Sequence, residues 1–221
     1  MPETATPLTA AVEDYVKAIY TLEAQGGATT TGLAERLEVR PASVSGMLPK
    51  LTELGLVVHE PYHGVQLTDR GRRVALEVVR HHRLLELFLV ESLGMTWDEV
   101  HAEAEVLEHV ISEELEELIA TKLGDPEFDP HGDPIPSREL TVPDDESRTL
   151  YALEAGDRAT FVRVSDSDPA MLRYLSERGI APGAAIEMID RQPFDGPVSV
   201  LVAGDEHVLG AVLARAMRVS A

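Results

Sequence analysis

Cysteine is absent from the 221 residues of this chain. Disulfide bonds, thiolate zinc sites, iron–sulfur clusters and cysteine nucleophiles are therefore excluded together. Aromatic residues make up only 5% of the sequence, which argues against a pocket for an apolar organic ligand, and we expect no organic cofactor. No run approaches the ~18 apolar residues of a membrane-spanning helix, and no charged-then-apolar leader opens the chain. We therefore expect a cytoplasmic protein with no membrane partner.

Basic residues are scarce as well, with 19 Lys and Arg against 39 Asp and Glu and a formal net charge of −20. The acidic residues are unevenly distributed. Residues 76–140 carry 17 Asp and Glu against 4 Lys and Arg, whereas residues 1–75 carry 9 against 7. The N-terminal third is thus nearly neutral and its basic groups can still meet DNA phosphates, while the middle third favours divalent cations.

Changes in sequence pattern divide the chain into three predicted domains. Residues 1–75 show helical periodicity followed by two short strand-like runs, and residues 76–140 are helical and end in a loop rich in Pro, Gly and Asp. Residues 141–221 contain short β-like runs interrupted by one helix. The predicted fold class is mainly α with a small β component. It comprises a winged helix-turn-helix, a helical metal-binding and dimerisation domain, and an SH3-like (FeoA-like) β domain.

The N-terminal domain is predicted to bind double-stranded DNA. Two short helices meet at a tight turn around residues 39–41, which matches a helix-turn-helix, and residues 56–68 match the two strands of a wing. Small polar residues at the start of the second helix could approach base edges, although Ser43 could equally serve only as a helix cap. The predicted base contacts are Ser43, Ser45 and Gly46, and the predicted phosphate contacts are Arg40, Lys50 and the wing residue His63.

A Glu-rich segment in the middle domain is the first indication of a metal site. A helix predicted over residues 100–109 brings His101, Glu105 and Glu108 onto one face, with His109 one turn after Glu105. Two carboxylates and two imidazoles this close can converge on a metal ion. The alternative is a solvated face of an acidic helix.

Candidate ligands on two other predicted helices favour a metal site over a solvated acidic face. His82 and Glu86 repeat the i, i+4 spacing, and Asp14 lies in the first helix of the chain. Carboxylates and imidazoles without thiolates suit Mn(II) or Fe(II), although Zn(II), Co(II) and Ni(II) would bind the same ligands at least as tightly in vitro. Metal selectivity must then come from coordination number and from metal availability in the cell.

The order of these motifs resembles the diphtheria toxin repressor family of metal-dependent repressors. The resemblance rests on the winged helix, the His-Arg-Leu-Leu-Glu run at 82–86, the His-Ala-Glu-Ala-Glu-Val-Leu-Glu-His run at 101–109, the Pro-His-Gly loop at 130–132 with the Ile-Pro pair after it, and the C-terminal β domain. It implies a homodimer that binds palindromic operators when loaded with Fe(II) or Mn(II) and represses metal-uptake genes. Asp14 and Glu105 stand where iron-responsive members carry methionine and cysteine, which is the pattern of the manganese-responsive branch.

The resemblance also implies two metal sites. The primary site would consist of Asp14, Glu105, Glu108 and His109, completed by His82. On the iron pattern, the second site would use His82, Glu86 and His101 together with ligands from the SH3-like domain. On the manganese pattern, it would use Glu86, Asp129, His131 and Asp166, with Asp168 as a rival to Asp166. Lys17 stands where some manganese regulators carry a glutamate, which argues against a tightly paired two-metal primary site.

A metal held between the first helix and the 105–109 segment would couple DNA binding to the dimer. It would fix the separation of two recognition helices, which must match about one helical turn of DNA, ~34 Å. One competing hypothesis is a metalloenzyme built on the His/Glu cluster, but the sequence has no His-Glu-x-x-His motif. A second is a winged-helix sensor of an organic ligand, which the scarcity of aromatic residues disfavours.

Overall fold

The computed structural model describes residues 8–60, 64–166 and 168–220, apart from the side chains of His59 and Glu60. The chain divides into two compact units. The first contains the N-terminal residues up to His81, together with Glu108–Ile111 and Pro136–Thr141, and the second contains His82–Leu107, Ser112–Ile135 and the residues from Val142 onward. Within the described residues, no helix is long and apolar enough to cross a membrane.

The first unit contains a winged helix-turn-helix. Its elements in chain order are α1 (Ala10–Ala24), α2 (Thr30–Arg36), α3 (Pro41–Glu53), β1 (Val57–Glu60), β2 (Gly64–Leu67) and the start of α4 (Asp69–Leu93). The Thr29 hydroxyl accepts a hydrogen bond from Gly32 N and caps α2, and a proline at the first position begins α3. The strands β1 and β2 pair antiparallel and form the wing.

Apolar residues from all of these elements form one core. The buried side chains include Val12, Val16, Ile19, Leu33, Val44, Leu48, Leu51, Leu56 and Val65. Gly71 explains how α4 joins this core, because a Cβ at this position would lie 1.9 Å from the carbonyl oxygen of Leu56. Only glycine therefore lets the first turn of α4 approach the chain just before the wing.

The second unit contains the rest of α4, then α5 (Val100–Leu107) and α6 (Glu113–Lys122). The helix predicted over residues 100–109 is two residues too long, because α5 ends at Leu107 and Glu108 and His109 lie in the turn that follows. This turn belongs to the first unit, where His81 Nδ1 lies 3.2 Å from the carbonyl oxygen of Glu108. The His81 side chain can thus donate a hydrogen bond to a carbonyl group just after the helix end, where carbonyl groups lack partners within the helix.

The C-terminal part of the second unit is a six-stranded antiparallel sheet with two helices. The elements are β3 (Arg148–Thr149), β4 (Arg158–Val164), α7 (Pro169–Ser176), β5 (Ala185–Arg191), β6 (Val198–Val202), β7 (Asp205–Leu209), α8 (Ala211–Ala216) and β8 (Met217–Ser220). The strand order is β3-β8-β4-β5-β6-β7. The core includes Leu150, Phe161, Leu172, Ile180, Met188, Val200 and Val219. The mainly α architecture with a small SH3-like β domain confirms the predicted fold class.

The Pro-His-Gly loop before this sheet is tightly packed against β4. Val164 N donates a hydrogen bond to the carbonyl oxygen of His131 at 3.0 Å. Gly132 has φ +87°, and a Cβ on it would lie 1.8 Å from the carbonyl oxygen of Val162. Asp129 Oδ1 accepts hydrogen bonds from the backbone amides of His131 and Asp133, both at 2.9 Å. These contacts fix the backbone of the loop, and the His131 ring is held by Nε2, which lies 2.6 Å from the carbonyl oxygen of Trp97.

Candidate metal centres and DNA interface

The first acidic cluster joins α1 to the turn after α5 within the first unit. Ligand atoms of Asp14, Glu108 and His109 all lie within 4.8 Å of one another. His109 Nε2 is 2.9 Å from Asp14 Oδ1 and 3.6 Å from Glu108 Oε1. The structure therefore brings together three of the five residues predicted for the primary site, although Asp14 is 94 positions from Glu108 in the sequence. Two carboxylates and one imidazole at these distances can coordinate a divalent cation.

The other two predicted primary ligands belong to the second unit. There, His82 Nδ1 lies 3.8 Å from Glu105 Oε1. Glu105 is two-fifths exposed, whereas the His82 side chain is 5% exposed. Glu105 Oε1 also lies 3.8 Å from His101 Nε2, so this partly exposed carboxylate faces two imidazoles.

The sequence did not indicate that Glu13 and Lys17 contact this cluster. Glu13 Oε2 accepts a hydrogen bond from His109 Nδ1 at 2.6 Å. This contact orients the ring so that Nε2 faces Asp14 and Glu108, as carboxylates often do behind metal-binding histidines. Lys17 Nζ donates to both carboxylate oxygens of Glu108, at 2.9 and 2.7 Å. The adjacency of Glu13 to Asp14 was the one available signal for the first contact.

The second cluster surrounds the fully buried carboxylate of Glu86. Its Oε1 lies 3.0 Å from His82 Nε2 and 3.2 Å from His101 Nδ1. The two histidine nitrogens are 3.1 Å apart, and His101 Nδ1 is also 3.2 Å from Asp166 Oδ2. A single proton on His101 Nδ1 cannot serve three neighbours at once. The four side chains converge on one point, as ligands of a shared cation do.

The opposite oxygen of Glu86 faces the Pro-His-Gly loop. Glu86 Oε2 and His131 Nδ1 are 3.5 Å apart, and neither atom has a hydrogen-bond partner. Both side chains are completely buried, and Asp129 lies within reach of the same point. An unpaired buried acceptor and an unpaired ring nitrogen cost free energy unless something binds both. The residues present therefore fit a divalent metal at this position.

The pKa values around Glu86 show how strongly its cluster attracts positive charge. Hydrogen bonds to Asp166 and Glu86 raise the pKa of His101 to about 10. Burial would lower the pKa of His131, but the Glu86 and Asp129 carboxylates and the Trp97 carbonyl together outweigh burial and raise it to about 9. Burial would raise the pKa of Asp166, but the hydrogen bond from His101 lowers it to about 2. Protons on the two histidines thus balance the carboxylates in the absence of another cation.

Two predicted second-site residues have additional roles in the loops that carry them. Burial, and then the charges of Asp133 and Glu86, raise the pKa of Asp129 to about 8. Its Oδ1 also accepts the two loop amides, so Asp129 holds the loop as well as facing Glu86. Asp168 is the N-cap of α7 and accepts hydrogen bonds from Ala170 N and Met171 N. Its carboxylate is thus engaged at the helix start, whereas Asp166 contacts His101.

Exposed residues along α3, and Arg40 just before it, are the predicted DNA contacts. Ser45 Oγ donates to the carbonyl oxygen of Pro41, and a Cβ on Gly46 would meet no atom within 4 Å. These positions are therefore exposed, as the contacts of a recognition helix in a DNA groove must be. His63, predicted as a phosphate contact, lies outside the described residues. The exposed predicted contacts are Arg40, Ser43, Ser45, Gly46 and Lys50.

A winged helix joined to clusters of carboxylates and imidazoles defines a class of protein, the metal-responsive DNA-binding regulators. Three family models match consecutive parts of the chain. Residues 7–65 match the N-terminal DNA-binding domain of the iron-dependent repressors, and residues 68–137 match their metal-binding and dimerisation domain. Residues 148–221 match the FeoA domain.

Individual proteins are similar over almost the whole length. The iron-dependent repressor IdeR of Mycobacterium tuberculosis is 34% identical over 209 residues, covering 89% of this chain and 90% of that protein. The diphtheria toxin repressor of Corynebacterium diphtheriae is 30% identical over 218 residues, covering 94% and 95%. A solved structure of a manganese-dependent transcriptional repressor in complex with manganese is 46% identical, with a TM-score of 0.88, covering 95% of this chain and 99% of that one.

The chain belongs to the iron-dependent repressor family, of which the diphtheria toxin repressor is a member. It is a DNA-binding, metal-responsive transcriptional regulator with a divalent metal as its cofactor, and it contains the dimerisation domain of the family. The predicted family and function are confirmed. Because the family consists of transcriptional repressors, the metalloenzyme hypothesis is wrong.

Proposed function

We propose that this chain is a manganese-responsive repressor of metal-uptake genes, acting as a homodimer on palindromic operators in the cytoplasm. The observation that carries the proposal is the meeting of Asp14 on α1 with Glu108 and His109 on the turn after α5. Oxygen and imidazole ligands without a thiolate suit Mn(II), with Fe(II) as the alternative. We assign DNA binding to residues 1–75, metal binding and dimerisation to residues 76–140, and the SH3-like domain to residues 141–221.

The proposed switch acts through α1. Asp14 projects from the same helix that contributes Val12, Val16 and Ile19 to the core of the winged helix. A divalent cation bound by Asp14, Glu108 and His109 supplies the positive charge that these carboxylates share. Asp14 then holds α1 against the turn after α5, and Glu13 keeps the His109 ring in the required orientation. In a dimer, this would fix the spacing of two α3 helices at about one turn of DNA, ~34 Å.

We further propose that Glu86, His101, Asp129, His131 and Asp166 are the ligands of a second site. The unpaired Glu86 Oε2 and His131 Nδ1 support this assignment. Because His131 is held by the backbone of β4, a metal shared with Glu86 would tie α4 to the Pro-His-Gly loop and the β sheet. His82 contacts Glu86 here, and its role in the primary site remains a proposal.

Four metal-binding conditions test the function directly. DNA binding should be measured with Mn(II), Fe(II), Zn(II) or no metal, each at a buffered free concentration in the physiological range. We expect Mn(II), and to a lesser degree Fe(II), to activate binding, whereas Zn(II) at its much lower free concentration should not. Equal DNA affinity under all four conditions would contradict the proposal.

Arg40→Ala should weaken DNA binding almost equally for every DNA sequence, because Arg40 is expected to contact a phosphate. Log K falls as log salt rises, and each lost phosphate contact makes this dependence shallower by about one. Arg40→Ala removes one contact from each subunit, so the slope for a dimer should become shallower by about two. Ser45→Ala should instead alter the preference among sequences with little change in salt slope. Fluorescence anisotropy over a range of KCl concentrations measures both slopes. An unchanged slope in Arg40→Ala would show that Arg40 does not contact a DNA phosphate.

Metal affinity at the second site should rise with pH. The metal-free pKa values of His101, about 10, and His131, about 9, lie above neutral pH, so both histidines are protonated before metal binds. Binding must release these protons, and affinity should rise by up to about two orders of magnitude per pH unit between pH 6 and 9. Competition with a chelator of known pH dependence measures this slope. A flat profile would exclude both histidines as ligands.

A further inference from the structure

Lys17 places a second cation beside the primary cluster. It lies three residues after Asp14 on α1, so both side chains project from one face of the helix. Its Nζ donates to both oxygens of Glu108, at 2.9 and 2.7 Å. The Glu108 side chain is completely buried, and the Lys17 side chain is only 13% exposed. The contact is therefore a two-point ion pair at the base of the cluster.

A buried carboxylate requires a positive charge nearby. Removing the cation from such a pair leaves an uncompensated buried charge and strongly destabilises a protein. Glu108 nevertheless also lies 3.6 Å from His109 Nε2, within the set of ligand atoms that faces Asp14. The same carboxylate is thus bound by an ammonium group and directed towards the proposed metal position. A divalent cation held by Asp14, Glu108 and His109 would therefore compete with the ammonium for the negative charge and the oxygens of Glu108.

We propose that Lys17 is a tethered competitor of the metal at Glu108, which raises the free metal concentration at which the regulator becomes active. The inference rests on the proposed function, since it takes Glu108 as a metal ligand. The ammonium is present at a constant local concentration and stabilises the metal-free state. Metal binding must overcome this stabilisation, and Lys17 thereby weakens metal affinity without contacting the metal. Asp14 and His109 are the other two proposed ligands, and their ligand atoms lie within 4.8 Å of those of Glu108.

Neutral substitutions test the inference. Lys17→Met removes the charge and the donor, and Lys17→Gln keeps a donor for Glu108 without the charge. Both should bind Mn(II) at least about tenfold more tightly in chelator competition, which corresponds to about 1.4 kcal/mol. Both should also activate DNA binding at proportionally lower free Mn(II) and melt at a lower temperature without metal.

Two controls isolate the ion pair from net charge. Lys122→Met removes the same charge from an exposed position at the end of α6 and should leave metal affinity unchanged. Lys17→Arg keeps the charge and should stay within about threefold of the parent. If Lys17→Met proves too unstable without metal, Lys17→Gln supplies the comparison, since its amide can still donate to Glu108.

The outcomes separate this inference from the proposed function. Unchanged Mn(II) affinity in Lys17→Met and Lys17→Gln would overturn the competition, and weaker affinity would instead make Lys17 a group that positions Glu108. Either result leaves the primary site intact, provided that Asp14→Ala still loses metal-activated DNA binding. If Asp14→Ala binds metal and DNA like the parent, the proposed primary site itself fails.

Discussion

Asp14→Ala should abolish metal-activated DNA binding while leaving the winged helix folded. Asp14 is the ligand that α1 contributes, and its Oδ1 lies 2.9 Å from His109 Nε2. Its side chain is 38% exposed and lies outside the apolar core, so its loss should cost the fold little. Coupling between an effector and its target typically amounts to ~1–3 kcal/mol, and a 5- to 150-fold response to Mn(II) should therefore disappear.

Anisotropy with and without Mn(II) measures this response, and circular dichroism checks the fold. Glu139→Ala is the matched control, because it removes an exposed carboxylate of the same unit that belongs to none of the groups of potential metal ligands. Glu105→Ala tests the predicted ligand from α5 in the same assay. A normal response to Mn(II) in Asp14→Ala would show that α1 contributes no ligand.

His131→Ala should remove about one metal ion per subunit and loosen the Pro-His-Gly loop. The substitution deletes the ring nitrogen that faces Glu86 Oε2, so the buried carboxylate loses a neighbour and the second site loses a ligand. The stacking of the ring on Trp97, with centroids 5.8 Å apart, is lost as well. Removal of a buried partner of this kind costs ~3–5 kcal/mol when a charge is left uncompensated.

Equilibrium dialysis at saturating Mn(II) measures the stoichiometry, and thermal melting measures the stability. His207→Ala removes a histidine of β7 that belongs to neither cluster and should change neither quantity. If His131→Ala binds as many Mn(II) ions per subunit as the parent, His131 is not a metal ligand and has only a structural role.

The sequence could predict contacts between candidate ligands on the same helix, because helical spacing determines them. His82 and Glu86 lie one turn apart on α4, and their contact at 3.0 Å follows from helical geometry. The helix end at Leu107 could not be found in this way, because nothing in the Glu-rich run marks a stop. The turn depends on residues from the first unit, among them His81, which is 27 positions from Glu108.

The sequence could not predict the contacts between residues that are far apart in the chain. Lys17 and Glu108 are 91 residues apart, and Glu13 and His109 are 96 apart. A lysine in an amphipathic helix ordinarily has its amine in water, so its role as the partner of a buried carboxylate has no local signature. The position of His131 likewise depends on a backbone hydrogen bond from Val164 in β4.

The choice between Asp166 and Asp168 could have been made from sequence. Asp168 is followed by Pro169, and an aspartate before a proline at the first helical position is a typical helix start. The structure shows this N-cap, with Asp168 accepting from two backbone amides of α7. The cap occupies Asp168, whereas Asp166 lies 3.2 Å from His101 Nδ1. Helix-capping rules therefore help to sort candidate ligands from structural carboxylates.

Anomalous diffraction from crystals of the Mn(II)-loaded protein locates each manganese ion independently of any functional assay, and it therefore shows whether a metal joins α1 to the turn after α5. We expect one anomalous peak bound by Asp14, Glu108 and His109, and a second beside Glu86 and His131. We also expect Lys17 Nζ to have moved off at least one Glu108 oxygen. Manganese found only beside Glu86, with Lys17 still bound to both oxygens of Glu108, would contradict the proposed switch.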